Sequence, residues 1–239
     1  MIYTIASRKG GTAKTTTAHA IGSYFAIRGK KVLFVDLDSQ ANLTSATGAN
    51  KGTGTADALT GKGIRLQTSG NISVLSAQED LVSIEPDLSP FRLREVLETL
   101  KPRFDLIIID TPAYLGRFTV SAFIACDRII ITSQPQRFCL DGIEIIANEI
   151  EAIKEGANKN LTVEGILLTF SKRTILRREM RERIKDASAL FQTKVFETKI
   201  RECEKIGEAQ DLGISVFEYA PTSNAAKDYE AFIQELDYR

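Results

Sequence analysis

The 239-residue sequence carries one histidine, His19, and three cysteines, Cys126, Cys139 and Cys203, an odd number without metal-type spacing. So few histidines and such cysteines point to no zinc centre, and the single histidine is expected to be structural and not the base of a triad. His19 is expected to pack or to sit on the surface, and the thiols to stay reduced, as in a cytosol. Lys plus Arg number 31 and Asp plus Glu 31, so the formal net charge is zero. Any affinity for nucleic acid must then come from a local patch and not from the field of the whole chain. No apolar run approaches the roughly 18 to 20 residues of a membrane helix. No signal peptide is expected, because the sequence runs directly into a strand-like segment, and there is no repeat or low-complexity tract.

What remains is a chain 43% hydrophobic, long enough for one large α/β domain. Apolar strands are expected at Ile2–Ala6, Lys31–Val35, Ile72–Leu75, Phe104–Ile109, Arg128–Thr132, Val163–Phe170 and Lys194–Ile200, with a short one at Val216–Phe217. Helices are expected at Thr15–Arg28, Phe91–Lys101, Leu176–Phe191 and about Asn224–Leu236, and a stripe of Ile143, Ile146, Ala147, Ile150 and Ile153 marks another. Residues 44–71, rich in Thr, Gly, Asn and Lys, read as a loop with a short helix. Continuous apolar strands separated by helices predict a mainly parallel, doubly wound sheet covered on both faces, in a single domain over residues 1–239. Ligands bind such sheets beyond the C-terminal strand ends, where Ser7, Asp36 and Asp110 fall.

The stretch "SRKGGTAKTTTA" follows the first strand. The usual phosphate-loop pattern asks for Gly, four residues, Gly-Lys, then Ser or Thr. Lys14 and Thr15 fit, but Ala13 stands at the second glycine position and Arg8 at the first. Ala13 is tolerable there if its φ is negative. Gly10 and Gly11 let the backbone turn close to a ligand, and the helix that follows offers its positive N-terminus. Lys14 would reach the β- and γ-phosphates, and the Thr15 hydroxyl would take a place on Mg²⁺. "VDLDSQANLTS" places Asp36 and Asp38 past the second strand, and "IIIDTP" places Asp110 at the end of the most apolar one. A carboxylate at a strand end beside a phosphate loop is suited to hold Mg²⁺ through water.

"KGGTAKTT", "VDLDSQANLTS" and "IIIDTP" together resemble the deviant Walker A, second and Walker B motifs of the ParA/MinD group of dimeric P-loop ATPases, and within it the small ParA (Soj-like) partition ATPases. "GEAQDLGISVFEYAPTSNAAKDYEAF" is similar to that group's C-terminal stretch. The resemblance implies ATP and Mg²⁺ as cofactors and a nucleotide site of Lys9, Gly10, Gly11, Thr12, Ala13, Lys14, Thr15 and Thr16. Lys9 would cross to the phosphates of a partner protomer, Thr16 would lie near the α-phosphate, and Asp38 would orient the attacking water. Asp110 would hold Mg²⁺ through its hydration shell, with Asp36 as an outer-sphere or structural neighbour. Ser39 and Ala41 replace the Pro and Gly of the group's pattern, and "IRECEKIGEA" departs from its Ile-Pro-Arg-Asn-Val-Arg, with Arg201 at the proline position. In relatives that region borders the base and a DNA-binding face.

Residues 172–185 hold seven Lys or Arg against Glu179 and Glu182. At helical spacing Leu176, Met180, Ile184 and Ala187 face inward, while Arg177, Arg181 and Lys185 line the outside with Arg173 and Arg178 nearby. Such a face binds phosphates without reading bases; Lys205 is a further candidate. The implied protein is a cytoplasmic, nucleoid-associated ATPase that dimerises on ATP. It would bind non-specific DNA, be stimulated by a ParB-like centromere-binding partner, and segregate a plasmid, chromosome or mobile element. No N-terminal helix-turn-helix is expected. Two other readings stay open. A membrane-positioning ATPase of the MinD kind needs an amphipathic basic tail, which "AAKDYEAFIQELDYR" is not. A metabolic P-loop enzyme would leave Lys9 without a role.

Overall fold

The computed structural model describes residues 1–136, 139–170 and 175–238, without the side chains of 175–178, 181 and 190. The chain alternates as expected: β1 (Ile2–Ala6), α1 (Lys14–Ile27), β2 (Val32–Asp36), α2 (Asn42–Ala46), α3 (Gly54–Thr60), β3 (Gln67–Ser69) and β4 (Ile72–Leu75) come first. After them run α4 (Leu81–Ile84), α5 (Arg92–Leu100), β5 (Leu106–Asp110), α6 (Arg117–Ala125), β6 (Arg128–Ser133) and α7 (Cys139–Glu155). The series ends with β7 (Thr162–Leu168), α8 (Ile175–Ser188), β8 (Val195–Lys199), α9 (Lys205–Asp211), α10 (Val216–Tyr219) and α11 (Asn224–Gln234).

The strands form one sheet in the order β3-β4-β2-β5-β1-β6-β7-β8, parallel except for β3, which runs antiparallel to β4. β1, β2 and β5 are buried at every residue, because helices cover both faces and each side chain must meet one of them. Ile107 and Ile109 point to the face covered by Leu93, Val96, Phe123 and Ile150. Leu106 and Ile108 point to the other, against Ile21, Tyr229 and Phe232. The edges are blunted: β3 has three polar residues, two of them exposed, and β8 carries Glu197 and Lys199. Phosphate-loop strand β1 lies between β5 and β6, so its C-terminal end opens in the middle of the sheet. The β2–β5 register sets Asp36 beside Asp110 at the ends of their strands.

Three expectations are corrected. Residues 216–217 are not a strand: they open α10, whose cap Ser215 accepts from the Glu218 amide while the Glu218 carboxylate accepts from the Ser215 amide. This Ser-x-x-Glu box is a helix-start signal that outweighs the β propensity of Val216 and Phe217. Residues 44–71 hold most of α2, all of α3 and the antiparallel edge strand β3. Helix α6 was not foreseen, since "GRFTVSAFIA" is apolar nearly all round and shows no helical stripe. The basic helix is present as α8, with Met180 and Ile184 buried as expected.

Candidate functional site

The phosphate loop spans the turn from β1 to α1. Gly11 has φ +70, and a Cβ on either Gly10 or Gly11 would meet no protein atom within 4 Å. The fold thus leaves open space where a ligand would approach. Ala13 is the N-cap of α1 with φ 62 and ψ 31, so the negative φ at which alanine would cost little is not what is found. Ala41, the residue at the other glycine position, likewise has φ 56 as the cap of α2. Both alanines keep a glycine-like geometry at a cost of about 1–2 kcal/mol each. The turn after Asp38 is therefore preserved despite Ser39 and Ala41.

The loop is braced from the ends of β6 and β7. The Thr12 hydroxyl lies 3.1 Å from that of Thr132, Thr169 Oγ1 donates to the Thr12 carbonyl at 3.1 Å, and Gln134 Nε2 donates to the Gly11 carbonyl. Gly10 through Thr16, with Asp38, Phe170 and Gln210, line a compartment of about 460 Å³. Lys14 is buried there at 7% exposure. Burial lowers its pKa, and the carboxylates of Asp110 and Asp38 pull it back up. Thr15 Oγ1 donates to Asp110 Oδ2 at 2.6 Å. Gln210 on α9 reaches Thr16 Oγ1 at 3.5 Å.

Asp110 is fully buried, and its Oδ1 has no hydrogen-bond partner. Burial, then the neighbouring Asp36, push its pKa up to about 8. An orphaned carboxylate oxygen beside a threonine hydroxyl suits a hydrated divalent cation, which supplies both the donors and the charge that are missing. Asp36 differs. Its Oδ2 accepts from the Thr44 amide and hydroxyl, each at 2.8 Å, and its Oδ1 from the Asp38 amide at 3.1 Å. Through these bonds Asp36 braces the turn and α2. Asp38 is half-buried at the compartment wall and accepts from the Gln40 amide at 3.0 Å. Among the described residues no group of three His, Cys, Asp or Glu is placed to hold a metal.

Lys9 points elsewhere. It is exposed and lines a separate cavity of about 310 Å³ with Gln134, Gln136, Cys139 and Asp141. Its Nζ donates to Gln136 Oε1, Gln136 Nε2 donates to Gln134 Oε1, and Gln134 closes the chain on the Gly11 carbonyl. Neither glutamine carries a sequence signal. Phe170 was missed too: it borders the 460 Å³ compartment with φ 49, rare for an aromatic residue.

Of the expected cationic face, Arg173 lies outside the described residues, as do the side chains of Arg177, Arg178 and Arg181. Lys185 is exposed and 3.7 Å from Glu182. Lys205 is bound by the Glu208 carboxylate at 2.7 Å, which offsets its charge locally. No helix among the described residues is long and apolar enough to cross a membrane.

Comparison with known proteins gives consistent findings. A family model described as AAA domain matches residues 1–163. The chain is 33% identical to the sporulation initiation inhibitor protein Soj of Bacillus subtilis, over 98% of this chain and 97% of that protein. It is 31% identical to the chromosome-partitioning ATPase Soj of Treponema pallidum, over 96% and 94%. Among solved structures it is similar to the septum site-determining protein MinD of Pyrococcus horikoshii complexed with Mg-ADP. That match has a TM-score of 0.80 and 27% identity and covers 99% of this chain and 95% of the other.

Proposed function

The chain belongs to this AAA domain family and, within it, to the ParA/MinD group of partition ATPases, and from that premise we propose a cycle for its two lysines. ATP binds one protomer at the 460 Å³ compartment. Lys14 and the loop amides, at the positive end of α1, neutralise the phosphates. Thr15 and Asp110 would hold Mg²⁺, Asp110 through water at its orphaned Oδ1. When bound, the ion would supply positive charge against that of the phosphates. Lys9 then leaves Gln136 and reaches the triphosphate of a second protomer, so that two chains pair only when both are loaded. Asp38 orients water for attack on the γ-phosphorus. The bond to the bridging oxygen breaks, ADP and phosphate form, and the pair separates.

Pairing sets two copies of α8 on one body and doubles the phosphate contacts open to DNA. Non-specific DNA is then held in the ATP state and released after hydrolysis, which a ParB-like partner accelerates. The chain acts as a single ATPase domain, in the cytoplasm and on the nucleoid, in partition of a plasmid, chromosome or mobile element.

The observation that carries this reading is the division of labour inside one loop: Lys14 is buried against the nucleotide compartment, and Lys9 is exposed outside it. DNA affinity measured in ADP and in a non-hydrolysable ATP analogue tests it. Tight binding only with the analogue is expected, with log affinity falling at about −0.9 per phosphate neutralised against log salt. Equal affinity in both nucleotides, or a flat salt response, contradicts it.

A further inference from the structure

A third cavity, of about 270 Å³, adjoins the phosphate compartment and shares Ala13, Thr16 and Phe170 with it. Ile200, Ile206, Phe170 and Tyr229 give it apolar walls, and residues 200–204 form its rim. A nucleotide whose phosphates lie on the loop and pass Thr16 has this space for its base.

The rim segment lies in no helix or strand; the Ile200 amide ties its start to the Leu168 carbonyl at 2.9 Å, and a residue pair ties it to α11. Arg201 gives three donors to Asp228 of α11: its amide to Oδ2 at 3.0 Å, its Nε to Oδ2 at 2.9 Å and its Nη2 to Oδ1 at 2.6 Å. The Asp228 side chain is 11% exposed and that of Arg201 50% exposed, so the carboxylate is the anchor and the arginine the strap. The next residue, Tyr229, is fully buried, lines the same cavity and lies 3.2 Å, hydroxyl to hydroxyl, from Thr17 of α1. Two consecutive residues of α11 thus tie the rim and the phosphate-loop helix to one support. Arg201 stands where the related motif has proline, which would lack both the amide donor and the side-chain fork.

We propose that the Arg201–Asp228 clamp is a positioning device for the nucleotide base, holding the rim so that the base compartment exists before the ligand arrives. The arginine side chain is half-exposed and bonded to the rim's own support, so its truncation acts first on the rim. Its loss therefore costs base affinity and spares both phosphate binding and chemistry. Pre-ordering a rim segment is a saving made before binding, so its removal reads out as weaker affinity.

The inference rests on the nucleotide reading above, and its test separates the two. Calorimetry with Mg-ADP and with Mg-pyrophosphate is run on wild type, Arg201→Ala and Arg201→Lys, with melting temperatures as a folding control. For Arg201→Ala, ADP is expected to bind about tenfold more weakly, a change of about 1.4 kcal/mol, while pyrophosphate affinity holds; the melting temperature should fall by a few degrees, because the buried Asp228 carboxylate loses its partner, with the protein still folded at the titration temperature. KM for ATP should rise by a similar factor with kcat within about twofold. Arg201→Lys, which keeps the charge but loses the fork, should fall between. Unchanged ADP affinity in Arg201→Ala overturns the clamp, and so does an equal loss for ADP and pyrophosphate. A wild-type chain that binds neither ligand overturns the nucleotide reading itself, and the clamp with it.

Discussion

Lys14 and Lys9 lie five positions apart in one loop and belong to two different surfaces. Lys14 is buried at the mouth of α1, near Asp110 and Asp38, in a compartment whose walls are fixed by hydrogen bonds from β6 and β7. Lys9 is exposed, and its ammonium is held by a chain of two glutamine side chains. The difference separates two tasks. Binding a polyphosphate needs a site already ordered and partly dehydrated, because its charge interactions are strong only there. Reaching a second chain needs a side chain that can move at little cost. One loop meets both needs because its backbone reverses between the two residues.

The largest effect is expected on the buried side. Lys14→Ala should weaken ADP binding by about 3 kcal/mol, on the order of 100-fold in Kd, through loss of a charge-assisted contact in a low-dielectric site. The fold should hold, since an unfavourably buried cation is removed. Titration calorimetry beside thermal melting checks both. If ADP binds equally well, the compartment is not the phosphate site.

Asp110 gives the next effect, in metal-free protein. Its pKa is about 8 in the fold and 3.8 as a free side chain, so between those values the folded state keeps a proton that the unfolded chain has lost. Stability therefore falls as pH rises from about 4 to about 8. Asp110→Asn removes that slope. At pH 8 the variant should be the more stable on the order of 2 kcal/mol, a fraction of the full linkage value because effective dielectric screening inside proteins is stronger than burial alone suggests. Near pH 4 the two should coincide. His19, whose pKa burial lowers to about 4, contributes equally to both proteins and cancels in the difference. Urea unfolding at pH 4.5, 6.5 and 8 measures this, and parallel profiles would contradict it.

The smallest effect is on the exposed side. Gln136→Ala frees Lys9 from its own protomer. With ATP analogue, half-dimerisation should need about two- to threefold less protein, in keeping with the modest worth of an exposed contact. Sedimentation at graded concentrations resolves it. Weaker dimerisation instead would place Gln136 in the interface.

How much of this was legible in the sequence follows the same division. The central strands and the three carboxylates at strand ends were readable because burial on both faces forces continuous apolar runs that stop at the polar site. The loop was readable because Lys14 and Thr15 keep their spacing. What the residues did not disclose is set by tertiary contacts. Ala13 and Ala41 hold positive φ because the surrounding turn imposes it, and no local preference of alanine predicts that. Gln134, Gln136 and the Arg201–Asp228 pair act across 27 to 127 positions of chain, so no spacing rule reaches them. Val216 and Phe217 were misread where a propensity was weighed without the Ser215–Glu218 box beside it.

The central claim is tested most directly by the mass of the particle formed with Mg²⁺ and a non-hydrolysable ATP analogue, read by light scattering for wild type and Lys9→Ala. Wild type should double the 26.4 kDa of the single chain. Lys9→Ala should bind the analogue with unchanged affinity and stay at the single-chain mass. A wild-type protein that remains single when loaded, or a Lys9→Ala protein that pairs as readily, would contradict the account.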